Sequence, residues 1–281
     1  MKNLLTISQE LTVLGDKFLS KEAPGSFPQE AKNLLETSSI ADAFDYQELV
    51  ESVLKESFRP AQNYGAFQFS DLPITLARGK SCFVDLYFWR RRPTVIHNHH
   101  FTGAFICLDG FNVDLEYEFT ESRRLGAYHS LGTLAEVEAR QMRKGDAKAI
   151  SYLDGFIHQN HHQSDLTANI CFRTPEFGEA DLSNYLYSGL RFEKNQVLLD
   201  RFERLMGLIR LGEFRVTKAD LTVDDALYFL IQNHRSTSES RQFLKVRDLF
   251  RETVQRELGV DLPKLLEEHD LRYEAIQAHY E

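Results

Sequence analysis

Six of the ten histidines fall in two short runs, IHNHH at 96–100 and IHQNHH at 157–162. Successive side chains of an extended strand point to opposite faces, so His97 and His99 share one side while Asn98 and His100 take the other. Two neutral imidazoles projecting side by side chelate a divalent cation through their ring nitrogens. Burying such a pair without partners is costly, which makes a shared metal the simpler account. A third donor has to come from elsewhere in the chain, and the second run supplies His158. It follows Gly155, whose missing Cβ permits the close approach of one strand to another. If the second run is also extended, His162 lies on the face of His158 and His161 faces away. His100 and His162 are therefore read as supporting neighbours of the metal and not as ligands. His129, His234, His269 and His279 stand outside the runs and read as ordinary surface or helix residues.

Other side chains bear on a substrate. Arg173 has the planar fork that matches a carboxylate if its strand points inward; at a barrel edge it would pair with an acidic neighbour instead. Tyr87 and Trp89 alternate with Phe88, and inward aromatics there would wall a dry substrate pocket or simply fill the core. Cys107 reads as a small buried apolar group.

The elements that must position these residues change character along the chain. Over 2–57 apolar residues recur at helical spacing, broken near PGSFP at 24–28. From about 65 to 177 short alternating runs predict strands at 81–89, 94–99, 103–109, 111–119, 147–152 and 166–173, the density expected of a barrel or sandwich. In FNVDLEYEF, Val113, Leu115, Tyr117 and Phe119 form an apolar face and Asn112, Asp114, Glu116 and Glu118 a polar one, as in a half-buried antiparallel strand. Beyond Gly178 helical period returns at 192–211, 223–233, 238–257 and 262–279, with Thr222 and Asp225 spaced like a capping box. The expected organisation is an N-terminal helical segment (1–60), a β-barrel (61–177) and a C-terminal helical segment (178–281), an α+β chain with a mainly β core.

Composition narrows the function classes. A formal charge of −9 argues against undirected binding to nucleic acid or anionic lipid. Three scattered cysteines without a CxxC pair argue against a disulfide framework or a thiolate zinc site and suit a reducing compartment, the cytoplasm. Glu10 and Asp16 interrupt the apolar N-terminal run before a signal-peptide core forms, and no stretch has the apolar length of a membrane span.

The histidine runs resemble the two motifs of the cupin superfamily. His97-Asn98-His99, followed by FICLDG ending at Gly110, is similar to the first. Gly145, then Leu153-Asp154-Gly155-Phe156-Ile157-His158, is similar to the second, with Leu153 in place of the usual proline. About 100 residues are covered. Where many cupins place a metal-binding glutamate this chain has Gly103 or Ala104, which leaves three histidines, as in the cysteine dioxygenase branch. FVDLYFW, IHNHHFTGAF, LDG and FRTPEF resemble that branch's layout. Ala104 stands where some of its members carry a crosslinked cysteine, so no Cys–Tyr crosslink is expected.

The resemblance implies a double-stranded β-helix with helical extensions, His97, His99 and His158 around iron(II), and O₂ as co-substrate. The resulting expectation is a non-haem iron dioxygenase acting on a small anionic molecule. Zinc, nickel or manganese would fit the same donors and would point to an isomerase or hydrolase. A non-catalytic metal or ligand sensor is the remaining alternative, its helical flanks covering the barrel mouth or making a homodimer interface.

Overall fold

The computed structural model describes residues 3–55, 60, 62, 70–152, 155–176, 182–194, 196–211, 222–236 and 240–280. Leu153 and Asp154 of the second motif, and Gly178, lie outside them. The chain divides into two compact units, the first made of 1–117, 136–180 and the last two residues, the second of 118–135 and 181–279.

The first unit holds three helices, α1 (Leu4–Leu19), α2 (Phe27–Thr37) and α3 (Tyr46–Val53), and most of the strands: β1 (Leu72–Arg78), β2 (Phe83–Arg90), β3 (Ile96–Asn98), β4 (Gly103–Asp109), β7 (Ala147–Ile150), β8 (Ile157–His162) and β9 (Leu166–Arg173). β5 (Phe111–Arg124) and β6 (His129–Arg143) belong to it through the halves nearest the barrel. One sheet runs β1-β2-β9-β4-β7 and the other contains β3-β8-β5-β6. Counting β2 as the first of eight consecutive strands, the two sheets have the orders 1-8-3-6 and 2-7-4-5. That is the double-stranded β-helix, in which sequence-distant strands become neighbours and both sheets turn one face inward.

Alternation fixes what each face carries. The outer face of the first sheet presents Val84, Leu86, Phe88, Ala104, Ile106, Ala168, Ile170 and Phe172, and these pack against Leu4, Leu11, Phe27, Ala31 and Leu35 of the helices. Phe27 meets Phe172 edge-on at 5.3 Å between centroids. Helix α1 starts at Asn3, whose side chain accepts from the Thr6 amide at 2.9 Å. The inner face carries Tyr87, Trp89, Phe105, Ile150 and Cys171. Gly110, at φ 82°, makes the turn from β4 into β5, and a Cβ there would lie 2.8 Å from the Leu166 carbonyl oxygen.

The second unit contains the outer half of the β5–β6 hairpin, β10 (Leu182–Tyr185), β11 (Leu190–Lys194) and helices α4 (Gln196–Leu211), α5 (Val223–Gln232), α6 (Arg241–Leu258) and α7 (Leu262–Tyr280). Its core centres on Leu198, Phe229, Phe243 and Phe250. The expected capping box is present: Thr222 accepts from the Asp225 amide and Asp225 accepts from the Thr222 amide. Ser240 caps α6, and Gly259 at φ 60° ends it.

Three expectations are corrected. Residues 192–194 belong to a strand, β11, and are not the start of a helix, because β11 pairs with β10 and β6. The polar face of 111–119 is not solvated along its length: Asn112 and Asp114 are fully buried, because this face lines the barrel. His129 is no surface residue; it is fully buried and its Nδ1 lies 2.7 Å from Asp224, which also accepts from the Ala127 and Tyr128 amides and so fastens α5 to the hairpin turn. The long strand β6 was not foreseen; its weakly alternating, half-exposed sequence gave no strand signal. Among the described residues no helix is long and apolar enough to cross a membrane.

Candidate metal centre

His97 on β3 stands directly opposite His158 on β8 in the antiparallel register, which brings the two histidine runs together. His99, one residue beyond the end of β3, completes a nearly equilateral triangle of rings, with centroid separations of 4.7, 4.8 and 4.9 Å. All three are buried, and one ligand nitrogen from each lies within 4.8 Å of the other two. Among the described residues no carboxylate or thiol joins this group.

Hydrogen bonds at the back of two rings set their tautomers. His97 Nδ1 donates to the Val95 carbonyl at 2.8 Å, leaving Nε2 as its ligand atom. His158 Nδ1 lies 2.6 Å from Asp114 Oδ1, so its Nε2 carries a lone pair, and this nitrogen faces His99 Nε2 at 2.8 Å. A carboxylate behind a ligating imidazole fixes the ring and raises its basicity, which is the usual support of a metal-binding histidine. Burial, with the neighbouring rings of His97 and His158, pushes the pKa of His99 well below its ordinary value, which keeps it neutral as a ligand must be. The donor set, the burial and the tautomers therefore fit a divalent transition metal.

Asp114 is itself held. Its second oxygen pairs with Lys148 of β7, which also meets Glu116. Burial opposes the charge on Asp114, but His158 and Lys148 outweigh it and hold the carboxyl below its ordinary pKa. Burial likewise opposes the Lys148 charge, and Asp114 and Glu116 carry its pKa above the usual value.

The rest of the pocket is aromatic. Phe101 lies 4.7 Å from the His99 ring, Phe156 4.8 Å and Phe105 6.0 Å from that of His158, centroid to centroid. Arg173, which is 4% exposed, points into the barrel with both Nε and a terminal nitrogen 2.9 Å from Asp85 Oδ2. The Tyr87 hydroxyl shares that oxygen at 3.3 Å. The guanidinium also lies 5.0 Å from the centre of the Phe101 ring, so one aromatic ring separates it from His99. His100 is half-buried, with its ring 6.4 Å from that of Tyr152, and is not one of the three grouped ligand histidines. His162 is buried and stacked on Trp89 at 5.0 Å, two alternations along β8 from His158.

Gly103 explains the missing glutamate. It faces Arg173 across the β4–β9 pairing, and a Cβ there would sit 2.2 Å from the Phe172 carbonyl oxygen. Ala104 points the other way, into the core beneath the helices. Neither position has room to present a carboxylate to the histidines. Sequence reasoning missed Asp114, Lys148 and Asp85. The only available signal was a carboxylate in phase on an alternating strand, and the facing strand that gives it meaning is distant in sequence.

The sequence matches no protein-family model and no curated protein. Solved structures similar to the chain include a cupin-2 domain protein from Shewanella frigidimarina, at 11% identity and TM-score 0.28 over 48% of this chain and 98% of that one. A cupin-superfamily sugar phosphate isomerase from Silicibacter pomeroyi aligns at 15% identity and TM-score 0.28, over 42% and 71%. A hydroquinone 1,2-dioxygenase crystallised with Cd²⁺ and 4-hydroxybenzonitrile aligns at 9% identity and TM-score 0.28, over 37% of this chain and 63% of its own, under two thirds of its length. The first two are described as cupin proteins, but at such scores the likeness bears on no chemistry; the strand order carries the fold.

Proposed function

We propose that the chain is a metal-dependent barrel enzyme, a non-haem iron dioxygenase that takes a small anionic molecule and O₂. The observation that supports this most is the buried triangle of His97, His99 and His158 with Asp114 fixing the His158 tautomer. Iron(II) held by these three rings would supply the dioxygen chemistry that no side chain in the barrel provides.

The chain's own residues then bind and orient. His97, His99 and His158 are neutral donors and leave the charge of a divalent ion uncompensated, while Asp114 is matched by Lys148, and Arg173 by Asp85. An anion entering the pocket is thus drawn chiefly by the ion. Phe101, Phe105 and Phe156 keep water from the reacting face. Tyr87 and Arg173 form the wall beyond Phe101, where the guanidinium meets an anionic group that competes with Asp85 for it. Gly103 offers no side chain that could join the three histidines.

Anaerobic loading with iron(II), followed by oxygen-uptake measurements on a panel of small thiols, phenols and carboxylates, tests the reading. Iron-dependent uptake with one class, lost in His97→Ala, is the expected result. Iron binding without uptake across the panel would overturn the dioxygenase, and failure of wild type to retain any of iron, zinc, nickel or manganese would overturn the metal site itself.

A further inference from the structure

Beyond the metal triangle, the barrel interior carries a second group of buried polar side chains. Asn112 on β5 stands opposite His162 on β8, and Asn160 precedes His162 by one alternation on the same inward face. Thr167 on β9 stands opposite Trp89 on β2, with Asn169 one alternation further on. The Trp89 ring stacks on His162 at 5.0 Å, which ties the two sheets together at this level. Four residues of extended strand place His162 about 13 Å from His158, and Asn160, opposite Asp114, is the inward residue between them.

These five polar residues are between 0 and 9% exposed. Yet Asn112 Nδ2 and Oδ1, Asn160 Oδ1, His162 Nδ1 and Nε2, Thr167 Oγ1 and Asn169 Oδ1 have no hydrogen-bond partner in the protein among the described residues. Buried polar atoms are almost always paired, and a cluster of unpaired ones on facing strands is the mark of a bound polar species. The group offers both donors and acceptors. None of the five is a carboxylate, lysine or arginine, and Asp114, which stands opposite Asn160, is already matched by Lys148 and His158, so the complement is a neutral molecule that donates and accepts equally well.

We propose that this layer is an internal hydration site, in which ordered water molecules bridge Asn112, Asn160, His162, Thr167 and Asn169. At roughly three hydrogen bonds per buried water, the open valences correspond to about two or three molecules. The barrel interior then carries a hydrated polar layer at the level of Trp89 and Tyr87, and it exists whether or not a metal is bound.

The test reads long-lived internal water directly, by magnetic relaxation dispersion of ¹⁷O in the wild type and in Thr167→Val and Asn169→Leu, with thermal melts alongside. The expected result is a dispersion in the wild type that drops in both variants, with a lowered Tm, because a water loses an anchoring bond. His97→Ala should leave the dispersion unchanged, which separates this site from the metal. Absence of a dispersion in the wild type, or one that both variants leave intact while their Tm rises, would overturn the proposal: the polar atoms would then be dry, and replacing them with apolar groups relieves a penalty. Should one variant fail to fold, the other carries the measurement.

Discussion

Asp114 Oδ1 lies 2.6 Å from His158 Nδ1, and the other oxygen of the same carboxylate is gripped by Lys148. The candidate metal centre is thus supported by a chain of charge reaching from β7 through β5 to β8. Asp114→Asn keeps the shape but removes the charge that holds the imidazole in its metal-binding tautomer. Metal affinity should fall about 10–100-fold. Competition against a chromophoric chelator measures it, with the far-UV spectrum as a check on folding; unchanged affinity would mean that Asp114 serves only to neutralise Lys148.

How much of this was legible in the sequence depends on the range of the interaction. His97 and His99 announce themselves by local alternation, and His158 by a second cluster with a glycine ahead of it. The barrel is visible in the density of short strands. What stayed hidden is set by long-range pairing: that Asp114 faces inward depends on β8 lying beside β5, and that Arg173 is held by Asp85 depends on β9 lying beside β2. Residues 192–194 misled for a related reason, since their conformation comes from pairing with β10 and not from local preference.

Gly103 is the position at which the smallest change should be felt. A methyl group there would be driven into the Phe172 carbonyl, an atom of the central strand pair that cannot move alone. Gly103→Ala should therefore cost about 1–3 kcal/mol, as overpacking does. Chemical denaturation of the metal-free protein measures it. Gly103→Glu should be worse still and should not add a fourth ligand; a stable variant with raised metal affinity would show that the strand yields more easily than its backbone contacts imply.

Acid should find the hydrated end of the barrel. Burial, then the nearby His161 and Arg92, depress the His162 pKa from 6.5 to about 3. Between these values the unfolded chain binds a proton that the folded chain refuses, so stability falls as pH drops below 6.5 and is fully present above it. The slope from this one residue approaches about 1.4 kcal/mol per pH unit. His162→Phe preserves an aromatic ring against Trp89 and removes the proton. Urea titrations of the metal-free protein at pH 7 and pH 5 should show a smaller loss for the variant than for wild type by that order; equal losses would place the acid sensitivity elsewhere.

The Arg173–Asp85 pair offers a test in which one change should hurt more than two. Burial opposes the guanidinium charge, and Tyr87 and Asp85 restore it, so that its pKa stands above even the ordinary arginine value. Asp85→Ala strands a cation that is almost wholly enclosed, at a cost of about 3–5 kcal/mol, whereas replacing both partners with apolar residues of similar size leaves no uncompensated charge. Asp85→Leu with Arg173→Met should therefore be the more stable of the two proteins in urea unfolding, even though it departs further from the natural sequence. The comparison also bears on substrate. An anion that reaches Arg173 should restore part of the stability lost in Asp85→Ala by taking the place of the missing carboxylate, and small carboxylates added to the melt would raise its Tm while leaving the double variant unmoved. If neither Tm shifts, Arg173 is a structural cation closed to ligands, and the proposed ion at the three histidines would be left as the attraction for the proposed anionic substrate.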